Sequence, residues 1–442
     1  MTIPKEKLSD FKERFEFAQN LITEESKNDS ALTPYMSHYK ARDILIELEE
    51  KLNKEIAAEP ELKNQLIYKS ILGTILKDVG KINCFVEETD KAETYLRKAL
   101  NVLVDHKLES KIIIGYADTL NQLGILFSKL LDDEKSKTFL IQSEEIVKQF
   151  KESNKKPLTI FDIFGTEDEI EEGKGELSLE KTHTLTFFYL AQVFGSQGDL
   201  TSSASYCHST LKRQLELKDY DPIEWALNSA TLSQYYFGKN MLIQSRHLLA
   251  ASCYMLETYT DELEKKDNIS EEQRLAFTEA LNHRTADVSL CCAKYCIYVL
   301  STSIDRLMQE KEDSDPLTDA DKFILNPYCE KFNLNLDLYE RQMANEFCLT
   351  FDDAKASFLG AQAWLNKAKI YYTLESEASQ YARIIQDFAQ LYKHLAFFEE
   401  DPSTQAKLHK RRSDQLEGCL SQLNPNFYMN ITRFVIIFNI LD

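Results

Sequence analysis

Apolar positions recur with a helical period along most of the chain, separated by short polar breaks. Leu8, Phe11, Phe15 and Ile22 form one stripe and predict a helix over 5–26. Ala41, Leu45, Leu48 and Leu52 predict a second over 35–57. A third, over 61–83, carries Leu72 and Gly73 as a close-approach pair; its partner opens at an Asp90-x-x-Glu93 capping box and presents Ala92, Leu96 and Ala99. In the next pair, 111–131 and 133–151, Leu120, Leu123, Gly124 and Phe127 face Ser136, Leu140 and Ser143. Two further pairs fill 181–259. The first sets Phe187, Leu190, Ala191 and Phe194 on one helix, turns at Gly198 and Leu200, and returns through Ser203, Cys207 and Thr210. The second sets Leu232, Ser233 and Tyr236, turns at Asn240 and Leu242, and returns through Ser245, Leu249 and Ser252. Asp221-Pro222-Ile223-Glu224 reads as a helix start, with Asp as cap, Pro at the first helical position and Glu closing the box.

Small residues where helices approach and apolar ones where they pack are the positional grammar of tetratricopeptide-like (TPR-like) pairs. Such a pair cannot bury its apolar face alone, so pairs stack. The small-residue marks at Gly73, Gly124, Ala191 and Ser233 are wider and less even than the ~34-residue standard repeat. The expected fold is all-α, a right-handed α-solenoid of TPR-like helix pairs in two sub-solenoids joined by a long helix. That helix starts at Ser270-x-x-Gln273 and runs to about Lys311 through Leu290, Tyr295, Val299 and Ile304. The expected divisions are N-terminal helices and pairs over 1–151, an acidic linker over 152–180 and central pairs over 181–265. A linking helix over 266–312, loop and short helix over 313–350, and C-terminal pairs over 351–442 follow. The last part holds helices over 353–376, 378–398 and 403–421, and a segment beginning at Asn424-Pro425. In the linker, Ile160-Phe161-Asp162-Ile163-Phe164 is an isolated apolar patch. It reads as a pin for a solvated loop, with a partner-docking arm as the alternative.

Composition agrees with a helical chain: among 442 residues there are only 12 Gly and 9 Pro. The formal net charge of −20 disfavours nucleic acid and anionic lipid and favours basic partners. The nine cysteines show no paired framework, which fits a reducing compartment. No signal peptide is legible in MTIPKEKLSDFKERFEF, and the run Phe434 to Leu441 is far short of the ~20 residues of a membrane span. The sequons at Asn268 and Asn430 read as chance in such a chain. The expectation is a cytoplasmic protein that contacts neither membrane nor nucleic acid.

Chemistry is sparse. Gly173-Lys174-Gly175 lacks the rest of a phosphate loop, and no His-Glu-x-x-His occurs. Cys291, Cys292 and Cys296 share a helix with no second ligand pair nearby, so core positions are expected rather than a metal site. His183, His208 and His247 read as satisfied structural histidines. His409-Lys410-Arg411-Arg412 reads as a solvated helix face. No catalytic residue, metal ligand, cofactor or small-molecule substrate is nominated, and the chain is expected not to be an enzyme. The informative surface is the inner face of the first helix in each pair, two positions before and one after the small residue. Those positions hold Tyr189 and Gln192, Thr231 and Gln234, and Gln122 and Ile125. This neutral, polar and aromatic wall lacks the cations a carboxylate clamp needs and suits a helix laid in the groove. The bland alternative is that these side chains satisfy neighbouring helices.

HTLTFFYLAQVF, SYCHSTLKRQLE and DPIEWALNSATLSQYY closely resemble the corresponding run of the KIF-binding protein family, TPR-like kinesin-binding proteins of animals. LAFFEEDPSTQAKLHKRRSDQLE and LNPNFY resemble later family segments in the same order. The resemblance implies a non-enzymatic, cytoskeleton-associated inhibitor. It would grip the motor domains of a subset of kinesins, engage the motor's microtubule-binding helix and block attachment, with roles in transport and axon growth. It also implies motor contact at Tyr189 and Gln192 (YLAQ), Gln214 (LKRQLE), and Thr231 and Gln234 (ATLSQ); Gln214 enters on the resemblance alone. After NFYMNITRF the chain reads VIIFNILD where family members carry further helices, so a C-terminally shortened member is expected. Two other function classes stay open at this point: a TPR-like scaffold for a different helical peptide, and an all-α enzyme with a site between the sub-solenoids.

Overall fold

The computed structural model describes residues 5–165, 170–266, 269–312, 331–344 and 346–423. All regular structure among them is helical. The chain divides into two compact units, Met1–Asp219 and Tyr220–Asp442, the boundary falling just before the Asp221-Pro222 helix start.

The first unit contains α1 (Lys5–Thr23), α2 (Met36–Ala58), α3 (Leu66–Phe85), α4 (Thr89–Leu103), α5 (Ile113–Lys129), α6 (Asp133–Glu152), the short α7 (Ile160–Phe164), α8 (Lys174–Ser196) and α9 (Leu200–Leu217). Consecutive helices pack as pairs, α1 with α2, α3 with α4, α5 with α6 and α8 with α9, and each pair packs on the next. This is the α-solenoid arrangement that the periodicity predicts. Phe11, Phe15, Leu45, Leu48, Ile71 and Ile75 form one core; Leu120, Ile146, Val147 and Phe150 belong to another.

The second unit contains α10 (Pro222–Phe237), α11 (Leu242–Glu264), α12 (Glu271–Glu312), α13 (Asp337–Glu340), α14 (Phe351–Tyr371), α15 (Leu374–Phe398) and α16 (Pro402–Gln422). The long helix α12 is an internal member of this unit, packed against α10, α11, α14 and α15. Tyr295, fully buried on α12, donates to the Ala344 carbonyl at 2.6 Å and so fixes the loop before α14. The segment expected after Asn424-Pro425, and the two sequons, lie outside the described residues.

Four pairs share one register. Gly80, Gly124, Ala191 and Ser233 each stand at the same offset before a residue of left-handed backbone: Glu87, Leu131, Gly198 and Asn240. In each, the next amide closes back on the helix: Glu88 to Asn83, Asp132 to Phe127, Asp199 to Phe194 and Met241 to Tyr236, at 2.8–2.9 Å. This is a Schellman closure, and it sets the turn between the two helices of a pair. Only Gly198 meets the αL geometry without a Cβ; an ordinary residue there costs about 1–2 kcal/mol. The in-register mark of the α3–α4 pair is therefore Gly80, not Gly73. Gly73 is a second close approach, where a Cβ would run into the Leu103 side chain.

Returning helices lock to the marks through serines. Ser136 Oγ donates to the Gly124 carbonyl and Ser203 Oγ to the Ala191 carbonyl, both at 2.8 Å. In the α10–α11 pair, Ser233 Oγ turns to its own helix at the Ala230 carbonyl, and Ser245 Oγ, fully buried, is left without a hydrogen-bond partner. Helix starts follow the chemistry of their caps. Asp132, Asp199, Asp221 and Asp401 side chains accept first-turn amides, and Ser270 with Gln273 forms the expected reciprocal box. The Asp90-Glu93 box does not form: α4 begins at Thr89 and Glu93 bonds Arg97 instead. Nor does Glu224 close its box; it reaches Arg284 at 3.3 Å.

The acidic linker is pinned by its apolar patch. Thr159 and Asp162 form a capping box on α7. Phe161 and Phe164 lie with ring centroids 6.1 and 5.7 Å from Phe15 of α1, and Ile163 and Phe164 are buried against α1 and α3. α8 starts at Lys174, inside the span expected to be linker.

Candidate partner-binding surface

The first unit holds three of the five nominated residues, and α8 carries two of them. A buried polar ladder fixes this helix against α5 and α6. Asn121 Nδ2 donates to the Thr182 carbonyl at 2.9 Å, Thr186 Oγ1 donates to Asn121 Oδ1 at 2.9 Å, and Ser143 Oγ lies 3.3 Å from Thr186 Oγ1. A buried ladder in which each polar atom is matched specifies one register, because any slip leaves orphaned donors. With Leu190 and Val193 buried against Leu140, Gln192 is left exposed and Tyr189 half-buried on the edge of that cluster. Burial, with the Cys84 thiol nearby, raises the Tyr189 phenol above its ordinary range, so it stays a neutral donor and acceptor.

Gln214 is half-buried on α9, beside Arg213. Arg213 is anchored to α8: it donates to Glu180 Oε2 at 2.5 Å, to Thr184 Oγ1 at 2.9 Å and to the Glu180 carbonyl at 3.1 Å, and stacks over Phe187. In the second unit, Thr231 is exposed on α10. Gln234 is half-buried and donates to Cys291 Sγ at 3.4 Å, so part of its capacity is used inside the unit. Gln122 and Ile125 of α5 do not join an open wall. Both are buried, and Gln122 donates to Asp118 Oδ1 at 3.2 Å.

Sequence reasoning misses a charged cluster on the first helices of this unit. Lys77 Nζ lies 2.7 Å from Asp118 Oδ2 and 3.0 Å from Asp78 Oδ1, and Gln19 donates to Asp78 at 2.9 Å. Burial works against the lysine's charge, but Asp118 and Asp78 outweigh it and raise its pKa. Abundant carboxylates hid this trio in the sequence, since nothing in local spacing links position 77 to position 118. It borders a cavity of about 380 Å³ lined by α3, α5 and α8 together with residues 158–161 and 163 of the linker. The linker thus covers the N-terminal parts of these first helices, while Tyr189 and Gln192 lie further along α8, outside that cavity.

The histidines separate. His247 accepts from the Phe332 amide at Nε2 (2.9 Å) and pairs through Nδ1 with Glu340 (2.8 Å), a satisfied structural histidine. His183 departs from expectation: both ring nitrogens are buried with no hydrogen-bond partner, and burial drives its pKa down to about 3. Cys291, Cys292 and Cys296 are core residues of α12. Arg412, in the cluster expected to face solvent, is buried. Among the described residues no group of three or more His, Cys, Asp or Glu is placed to hold a metal ion, and no helix is long and apolar enough to cross a membrane.

Comparison with known proteins places these features in a family. Residues 223–440 match the family model for KIF-1 binding protein C terminal. The chain is 40% identical over 445 residues to the KIF-binding protein of Drosophila melanogaster, covering 98% of this chain and 74% of that protein. It is 32% identical to the KIF-binding protein of Gallus gallus (95% and 73% covered) and 29% identical to that of Homo sapiens (95% and 74%). A KIFBP chain determined by cryo-EM matches with a TM-score of 0.60 at 26% identity, covering 96% of this chain and 71% of that one. The chain belongs to the KIF-binding protein family.

Proposed function

We propose that this chain binds the motor domains of a subset of kinesins and keeps them off microtubules. The observation that carries the reading is the identity to proteins named for KIF binding along nearly the whole chain. On the first unit exposed Gln192 with half-buried Tyr189 and Gln214, and on the second unit exposed Thr231 with half-buried Gln234, each offer uncharged donors and acceptors of the kind the polar face of a helix accepts. The motor surface that meets acidic tubulin is basic, and a chain of net charge −20 attracts it at long range. Bound there, the protein competes with the microtubule by occupancy; no bond is made or broken. The reading places it in the cytoplasm with the microtubule cytoskeleton, as a regulator of transport and axon growth rather than an enzyme. Size-exclusion chromatography with purified kinesin motor domains tests the first step. Co-elution with at least one motor is expected. A failure to co-elute with any motor, alongside capture of an unrelated helical peptide, would instead make this a scaffold of different specificity.

A further inference from the structure

Two thiols of the second unit stand side by side without being joined. Cys253 on α11 and Cys292 on α12 have their sulfur atoms 3.8 Å apart. A disulfide brings two sulfurs to about 2.05 Å, so closure needs these two to approach by about 1.75 Å. The two differ in access. Cys292 is fully buried, whereas Cys253 is half-buried and opens onto a cavity of about 420 Å³ whose wall carries Lys367 and Trp364 of α14.

The surroundings lower the pKa of the Cys253 thiol. The Cys292 thiol beside it lowers its pKa first, burial opposes this, and the Lys367 ammonium lowers it further. Glu257, which accepts from the Tyr339 hydroxyl at 2.5 Å, opposes this to a smaller degree, its charge raising the Cys253 pKa. The other described cysteines lie in the opposite regime. Burial raises Cys207 and Cys291 to about 11 and Cys296 to about 12. Reactivity follows thiolate character and access together, and Cys253 combines a lowered pKa with a place on the cavity wall.

We propose that Cys253 is a peroxide-sensitive modification site and that Cys292 is its resolving partner. The Cys253 thiolate attacks one oxygen of hydrogen peroxide. An S–O bond forms, the O–O bond breaks and hydroxide leaves, so the sulfur is oxidised to a sulfenic acid and the peroxide is reduced. The Cys292 sulfur then attacks Cys253; the S–S bond forms, the S–O bond breaks, and the hydroxyl departs as water with the Cys292 proton. The product ties α11 to α12 covalently within one unit. A reducing agent reverses it.

The test treats the full chain with hydrogen peroxide and maps peptides under non-reducing conditions. The expected result is a linked pair of peptides containing Cys253 and Cys292, lighter by two hydrogens than their sum and lost on adding dithiothreitol. In Cys292→Ser, dimedone is expected to trap the sulfenic acid at Cys253. In Cys253→Ser, labelling at Cys292 is expected to fall at least tenfold below that level. Wild-type protein that yields no such linked pair overturns the proposal, as does dimedone labelling of Cys292 in Cys253→Ser as fast as of Cys253 in Cys292→Ser. The wild-type arm needs no variant to fold, and no arm reads kinesin binding, so the outcome is separate from that of the function proposed above.

Discussion

Gln192 stands in solvent on a helix whose neighbouring residues, Leu190, Ala191 and Val193, are buried. Exposed Gln192 and half-buried Gln214 contribute less to a core than the buried apolar residues beside them, so their removal separates binding from folding. Gln192→Ala combined with Gln214→Ala is expected to weaken motor binding by roughly tenfold, with the melting temperature moving by no more than about 2 °C. Equal loss of affinity and stability would make both residues structural. His183 gives the opposite kind of residue, one whose chemistry matters only to stability. Its folded pKa of about 3 lies below the ~6.5 of the unfolded chain. The unfolded state therefore takes up the proton first: the contribution is intact above ~6.5 and is lost as the pH falls toward 3, by up to ~1.4 kcal/mol per pH unit. His394, pushed down to about 4, adds to the same limb. His183→Leu is expected to make acid denaturation shallower between pH 6 and ~4, read by urea unfolding at several pH values. An unchanged pH slope would contradict the assignment. The sequence could not show this, because position 183 reads as a helix-packing histidine whether or not a partner waits across the interface.

At the scale of the element, the repeat register was legible from small residues and serines, because those types are dictated by the close approach itself. Gly124, Ala191 and Ser233 are legible that way, whereas Gly80 is obscured by Gly73, which also lies against a leucine. The caps were less legible. Thr350, just before an expected helix, closes a reciprocal box with Asp353, and Thr373, inside the helix expected over 353–376, caps a new one with Ser376, whereas Asp90 and Glu93 have the right spacing and form none. Two substitutions test the register with opposite signs. A Cβ at Gly124 would sit 2.6 Å from Leu140 Cγ, a fully buried side chain with nowhere to go. Gly124→Ala should therefore destabilise by about 1–3 kcal/mol despite the better helix propensity of alanine. Leu131, exposed and left-handed, should gain from Leu131→Gly by about 0.5–1 kcal/mol. Chemical denaturation measures both, and two changes of the same sign would refute the shared turn geometry.

At the scale of the whole molecule, the all-α class and the stacking of pairs followed from periodicity and the scarcity of Gly and Pro. The return of the linker onto α1 and α3 did not, since its contacts join residues far apart in sequence; only the apolar patch at 160–164 hinted that something must cover it. The net charge is the one long-range property readable directly from residue counts. It predicts that motor affinity weakens several-fold between ~50 and ~300 mM salt, because screening shortens the reach of an acidic surface for a basic one. An affinity flat across that range, measured by fluorescence anisotropy, would remove the electrostatic part of the account.

The most direct measurement is microtubule co-sedimentation of a kinesin motor domain with rising amounts of this protein. The account predicts that the motor leaves the pellet for the supernatant together with the protein, at a ratio set by their affinity. A motor that co-elutes with the protein yet stays on microtubules in full would contradict it.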